Sequence, residues 1–285
     1  LNRSLPWTHK SMIDNLITPL REYGAQVKLF GHFNIPTTIH NPRSGEKVGS
    51  FKNRGINLLA FDQVIMAPQK DEEVAVLLEK FKHHDLQSND PTVNSHRNLI
   101  HQYRSLHAVT QMIKSAEGDK VDAVLFARPD VEYLDRLLPA DALPNLLSGR
   151  FDILTPTWQR WGGLNDRVCM CNLRAAKIYA ERISIIDDVV ANNTPMNAES
   201  ILWHTVQQHS LKNGDLNLRG VRVRATGYTV DEGLDLDYFT RLRFFKRRVI
   251  SRIRRLRRQY VPPWSMGVKQ LTSTNISKSS SKTMS

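Results

Sequence analysis

Apolar positions along the chain follow two alternating rhythms. Residues 12–23 place Ile13, Leu16, Ile17 and Leu20 at three- and four-residue spacing, which predicts an amphipathic helix that stops at Gly24. A short strand over 27–31 and a strand-like stretch over 57–66 follow, then a helix over 71–83. Residues 93–114 carry Leu99, Tyr103, Leu106, Val109 and Ile113 at helical spacing. The run 121–126, bounded by Gly118 and Pro129, predicts a buried strand, and 152–154 another. Helices are expected over 173–185 and 198–209, with strand alternation over 220–226. Strands alternating with helices of this length predict an α/β fold, an open and mainly parallel sheet with flanking helices. Residues 1–11 read as a polar loop, so a first strand and any targeting segment are expected to lie ahead of Leu1.

The rhythm changes after Tyr238. Leu242, Phe245, Val249, Ile253, Leu256 and Tyr260 recur at helical spacing, and ten of the 18 residues 241–258 are Lys or Arg. This predicts a basic amphipathic helix over 241–262, ended by Pro262-Pro263. Residues 263–285 include a Ser/Thr/Lys-rich run from Thr272 that lacks the apolar content to fold, and are expected to be a disordered tail. The plan is therefore one domain over 1–240, a helix and a tail.

Charge sharpens that plan. Of the 40 Lys and Arg, 13 fall in 241–285 beside no Asp or Glu, which leaves 27 basic against 28 acidic residues in 1–240. The body is close to neutral, which argues against a nucleic-acid surface spread over the fold. An apolar stripe on a basic helix, with Phe244, Phe245 and Trp264 nearby, suits an anionic membrane surface. An arginine-rich helix along RNA phosphate is the rival reading, and a final helix packed on the body is the third. The chain holds no run of about 18 apolar residues that would span a bilayer. Its two cysteines, Cys169 and Cys171, make neither a disulfide framework nor, alone, a zinc site.

Three constellations carry candidate chemistry. Arg128-Pro129-Asp130 follows the 121–126 strand, at the kind of strand end where ligands bind in open α/β sheets. Asp130 would offer a hard oxygen ligand to a divalent metal, Mn or Mg, bridging a pyrophosphate, and Arg128 would neutralise phosphate charge. A strand-end turn with an internal Arg–Asp pair is the plainer reading. Next, Gly162-Gly163-Leu164-Asn165-Asp166-Arg167 places two glycines, which let backbone approach a ligand, before Asn165, Asp166 and Arg167, with Trp158 and Trp161 alongside. Aromatic faces beside polar groups suit a sugar. Third, Glu199 opens a predicted helix, where the helix dipole alone accounts for it or where it serves as a catalytic base.

Taken in order, the strand with Arg128-Pro129-Asp130, the Gly162–Arg167 run, Glu199 and Arg222-Val223-Arg224 resemble a group of GT-A-like glycosyltransferases. That group occurs in surface-polysaccharide gene clusters and in related algal and plant proteins. The resemblance covers residues 7–232, and its most specific piece is Gly-Gly-Leu-Asn-Asp-Arg. It implies a Rossmann-like GT-A fold with a nucleotide-sugar site at the sheet's carboxyl edge. Asp130 stands where GT-A enzymes place the second Asp of Asp-X-Asp, and Arg128, where the first would be, implies that an arginine shares the metal's electrostatic work. Glu199 resembles the base-bearing carboxylate of a late helix. In this fold the first strand also helps to hold the uracil or guanine base.

The expected function is transfer of a sugar, of the hexosyltransferase type, from a nucleotide-diphosphate donor to a glycan or lipid-linked acceptor. Arg128, Asp130, Gly162, Gly163, Asn165 and Arg167 would bind the donor, Asp130 the metal, and Glu199 or Asp166 would activate the acceptor. The expected setting is cytoplasmic, held to an anionic membrane surface through 241–260, or the Golgi lumen if an anchor precedes Leu1. No nucleic-acid partner is expected. The alternative is a non-catalytic GT-A-like adaptor associated with membrane or RNA. The chain has no Gly-X-Ser-X-Gly elbow, Gly-Lys-Ser/Thr phosphate loop or His-Glu-X-X-His.

Overall fold

A computed structural model of the chain describes residues 2–39, 49–50, 55–80 and 94–230. The helix expected over 241–262, the tail 263–285 and the last residues of the helix expected over 71–83 lie outside them. Among the described residues no helix is long and apolar enough to cross a membrane.

The opening residues are helical, which corrects the expected loop. A 3-10 turn (Asn2–Ser4) leads into α1 (Leu5–Met12), whose Leu5 and Thr8 are fully buried and whose Pro6 sits in the first turn, where its missing N–H costs nothing. A π-helical turn (Ile13–Ile17), in which the Thr18 N–H donates to the Ile13 carbonyl, joins α1 to α2 (Thr18–Glu22). Pro19 cannot donate to the i−4 ladder, and the widened turn takes up the mismatch.

Strands β1 (Phe30–Ile35) and β4 (Gln63–Pro68) pair in parallel, while β2 (Thr38–Ile39) and β3 (Gly49–Ser50) make a small antiparallel pair. The chain therefore carries a parallel pair of its own ahead of Arg128. The stretch expected as strand from 57 opens instead as a 3-10 turn (Ile56–Leu58) and becomes extended at Gln63. Helices α3 (Glu72–Lys80) and α4 (Asn94–Glu117) follow.

The main sheet runs β5 (Ala123–Ala127), β8 (Val168–Asn172), β7 (Ile153–Thr155), β9 (Asn213–Asp215). Strand β8 is antiparallel to both β5 and β7, and β7 pairs in parallel with β9. A second, antiparallel sheet orders β11 (Thr229–Val230), β10 (Gly220–Val223) and β6 (Val131–Tyr133). The fold is α/β, as expected, but its pairing is mixed: among the described residues two of seven strand pairs are parallel. In the main sheet the antiparallel pairs are those of β8, which the sequence pattern did not disclose. Val168, Cys169, Met170 and Cys171 are all buried, so the strand lacks the polar alternation that marks a half-exposed one.

Helices cover both faces. On one, Val124, Phe126, Cys169 and Cys171 meet α6 (Leu173–Ala180) and α8 (Ala198–Gln208) through Ala176, Tyr179 and Leu202. On the other, Val168 and Met170 share a core with Leu16, Leu20 and Leu146, the last on α5 (Pro139–Leu147). The helix expected over 173–185 breaks into α6, a 3-10 turn (Glu181–Ile183) and α7 (Ile186–Ala191).

Within that turn lies Arg182, which is fully buried. Its guanidinium carbon lies 3.9 Å from the Tyr179 ring centroid and 4.8 Å from that of Tyr103 on α4, and its Nε donates to the Tyr179 carbonyl at 2.8 Å. The terminal nitrogens make no hydrogen bond among the described residues, so the two rings carry the charge. Arg182→Ala would empty a slot between α4 and α6, and urea titration is expected to show a loss of about 3 kcal/mol or more.

Candidate active site

Antiparallel pairing sets the site. The carboxyl end of β5 lies beside the amino end of β8, with Ala127 opposite Val168. Residues just after the first and just before the second must therefore meet, and the Arg128 N–H donates to the Arg167 carbonyl at 3.1 Å. A second junction brings in α8: the Leu164 N–H donates to the Glu199 carbonyl at 3.0 Å. Three segments that are far apart in sequence thus converge on one edge of the sheet.

The Gly162–Arg167 loop fits because of its glycines. Gly162 has φ +88 and open space around it, a conformation that favours glycine. A Cβ on Gly163 would stand 1.8 Å from the Glu199 carbonyl oxygen, so this position is reserved for the α8 main chain. Both halves of the Asn165 carboxamide serve the loop itself, Nδ2 donating to the Trp158 carbonyl and Oδ1 accepting from the Arg167 N–H, each at 2.8 Å. Trp161, 64% exposed, and Gln159 sit at positive φ, a strain that persists where surrounding contacts impose it.

The side chains form an alternating cluster of charges. Arg128 forks onto Asp130, with Nε to Oδ1 and Nη2 to Oδ2 both at 2.9 Å. Its Nη1 donates to Gln102 Oε1 at 3.3 Å, and Gln102 Nε2 donates to Asp166 Oδ2 at 2.7 Å. The Tyr179 hydroxyl donates to the Asp166 carbonyl at 3.2 Å. Arg167 Nη1 lies 3.5 Å from Glu199 Oε1, and its guanidinium covers the Trp158 ring at 5.5 Å. Asp130, Asp166, Arg167 and Glu199 are all buried, while the Arg128 side chain keeps 20% of its surface, more than any of those four.

Burial and charge push the carboxyls apart. Burial alone would raise Asp130, but the Arg128 charge and its paired hydrogen bonds prevail and hold it down at about 2, with Arg222 of β10 adding to the effect. Glu199 goes the other way. Burial and the neighbouring Asp166 charge raise it to about 7 against the pull of Arg167 and Arg128. A carboxyl poised near neutrality beside one held ionised is the kind of division that acid–base chemistry uses.

Both Asp130 oxygens are held by Arg128, and no group of three His, Cys, Asp or Glu able to hold a metal occurs among the described residues. Gln102, Tyr103, Tyr179 and Arg182 are the supporting residues that sequence reasoning did not single out for the site. Gln102 stands between His101 and Tyr103 on the long helix, among other polar residues that give it no distinguishing signal.

No protein-family model and no curated protein sequence matches this chain. Among solved structures, the crystal structure of mouse xyloside xylosyltransferase 1 in its apo form is similar over 56% of this chain and 65% of that one. The identity is 15% and the TM-score 0.31. This chain thus spans less than two thirds of that neighbour, and a likeness so slight carries no argument about activity.

Proposed function

We propose that the chain transfers a sugar from a nucleotide-diphosphate donor to a hydroxyl acceptor. The observation that carries this reading is the convergence, at one end of the sheet, of a partly exposed arginine held by Asp130 with a buried Glu199 whose carboxyl is poised near neutrality. Glycosyl transfer makes two demands. Negative charge that develops on the leaving diphosphate must be met by fixed positive charge, and Arg128, oriented by its fork onto Asp130, supplies it without reorganising. The acceptor hydroxyl must lose its proton, and Glu199 is the group to take it. Asp166 raises the Glu199 carboxyl by its charge and is itself positioned by Gln102 and Tyr179, which makes it a tuning residue rather than a second base. Hexosyl transfer in surface-polysaccharide assembly, and attachment to an anionic membrane through 241–260, rest on the sequence pattern and belong to the same proposal.

The test begins with donor binding. UDP- and GDP-sugars are to be screened for a rise in the Tm of the full chain. Arg128→Ala alone would strand Asp130 as a buried unpaired charge, at about 3–5 kcal/mol. The double variant Arg128→Met/Asp130→Asn avoids that penalty and is expected to fold while losing the donor-induced shift. A double variant that still responds to donor would remove Arg128 from the site.

A further inference from the structure

Trp158, whose ring lies beneath the Arg167 guanidinium, also lines a groove of about 350 Å³. Asp135, Arg136 and Arg219 line it together with Leu138, Thr157, Trp158 and Asn217. Its size falls in the range of small-molecule sites. The wall is fixed before any ligand arrives: the Trp158 indole N–H donates to the Leu218 carbonyl at 2.8 Å while the Arg167 guanidinium covers the ring. Arg167 also reaches Glu199, so one ring and one guanidinium link the groove's wall to the candidate base.

Charge decides what the groove can take. Arg219 forks onto Asp135, Nη2 to Oδ1 at 2.7 Å and Nε to Oδ2 at 2.9 Å, and its N–H donates to the same carboxylate at 2.7 Å. The adjoining Arg136 is paired with Glu22. The charges lining the groove are thus balanced in pairs within the protein, and the groove carries little net charge. Beside these paired charges stand the Thr157 hydroxyl, the Asn217 carboxamide, the Trp158 indole and the half-exposed Leu138. An indole and an apolar side chain among neutral and charge-paired hydrogen-bonding groups match a pyranose, which presents C–H patches on its faces and hydroxyls at its rim.

We infer that this groove binds a neutral saccharide unit, the sugar next to the accepting hydroxyl. The word accepting rests on the transfer reading above; saccharide binding is measurable without it. The probes are methyl β-glucoside, methyl β-galactoside and methyl β-xyloside, with methyl glucuronide as the charged control, followed by saturation-transfer NMR on the full chain. Leu138→Arg places a long side chain into the groove from an exposed position, so the fold survives, and is expected to weaken binding at least about tenfold. Saturation of at least one neutral glycoside, lost in Leu138→Arg and weak for the glucuronide, supports the inference. No signal from any neutral glycoside overturns it, as does a signal that Leu138→Arg leaves unchanged or that the glucuronide equals. Glycoside binding without transfer from any donor would leave the groove standing and sink the catalytic reading. Transfer whose acceptor KM is untouched by Leu138→Arg would do the reverse.

Discussion

Gly163→Ala is expected to be the most damaging added methyl among the described glycines. The new Cβ would stand 1.8 Å from the Glu199 carbonyl oxygen, 2.2 Å from its carbon and 2.6 Å from the Ser200 nitrogen. All three are main-chain atoms, so no side chain can rotate away. The start of α8 must instead retreat, which breaks the Leu164–Glu199 hydrogen bond and pulls the Glu199 carboxyl from Arg167. A cost of about 3 kcal/mol or more follows, at the upper end for overpacking. Gly162→Ala is the control. It meets open space and pays only for its left-handed backbone, about 1–2 kcal/mol. Urea unfolding of both variants checks the order, and a Gly162 variant less stable than the Gly163 one would contradict the packing described here.

Glu199→Gln is expected to lower transfer by about 10²–10⁴-fold, the usual contribution of a general base, with the donor-induced rise in Tm retained. A second signature appears in stability. Unfolded, the carboxyl ionises near 4.5; folded, at about 7. Between those values the native state holds the extra proton, so this group's contribution is complete below 4.5 and is lost as the pH climbs through 7. Asp130 has the opposite sense. Its carboxyl is held down from 3.8 to about 2, so its contribution is present above 3.8 and is lost as acid takes the pH toward 2. Glu199→Gln should therefore flatten the decline between 4.5 and 7 and leave the acid limb alone. Denaturation midpoints across pH read both limbs, and an unchanged slope in the variant would remove Glu199 from the raised-carboxyl role.

Much of this architecture could be read from residue order. The stripe from Leu99 to Ile113 became α4, the apolar run before Phe126 became β5, and Asn197 caps α8 through its side chain, as a polar residue before a helix should. Convergence could not be read. It depends on β8 entering antiparallel beside β5, and a strand covered on both faces gives no alternation to find. Gly163 was legible as a place of close approach, yet its neighbour is the Glu199 main chain rather than a ligand. Asn165 was legible as polar and special, but its carboxamide is spent on the loop that carries it. Arg182 was hidden for another reason: a charged residue near a helix end is ordinarily solvated, and only the meeting of Tyr103 with Tyr179 gives it a dry place.

Cys169 and Cys171 point to the same side of β8 with their sulfurs 3.4 Å apart, and both are inaccessible. That strand is laddered on both edges and roofed on both faces, so an alkylating reagent can reach either thiol only after the middle of the sheet parts. Labelling speed thus becomes a clock for whole-domain opening, and the two adducts should arrive together, as a single jump in mass.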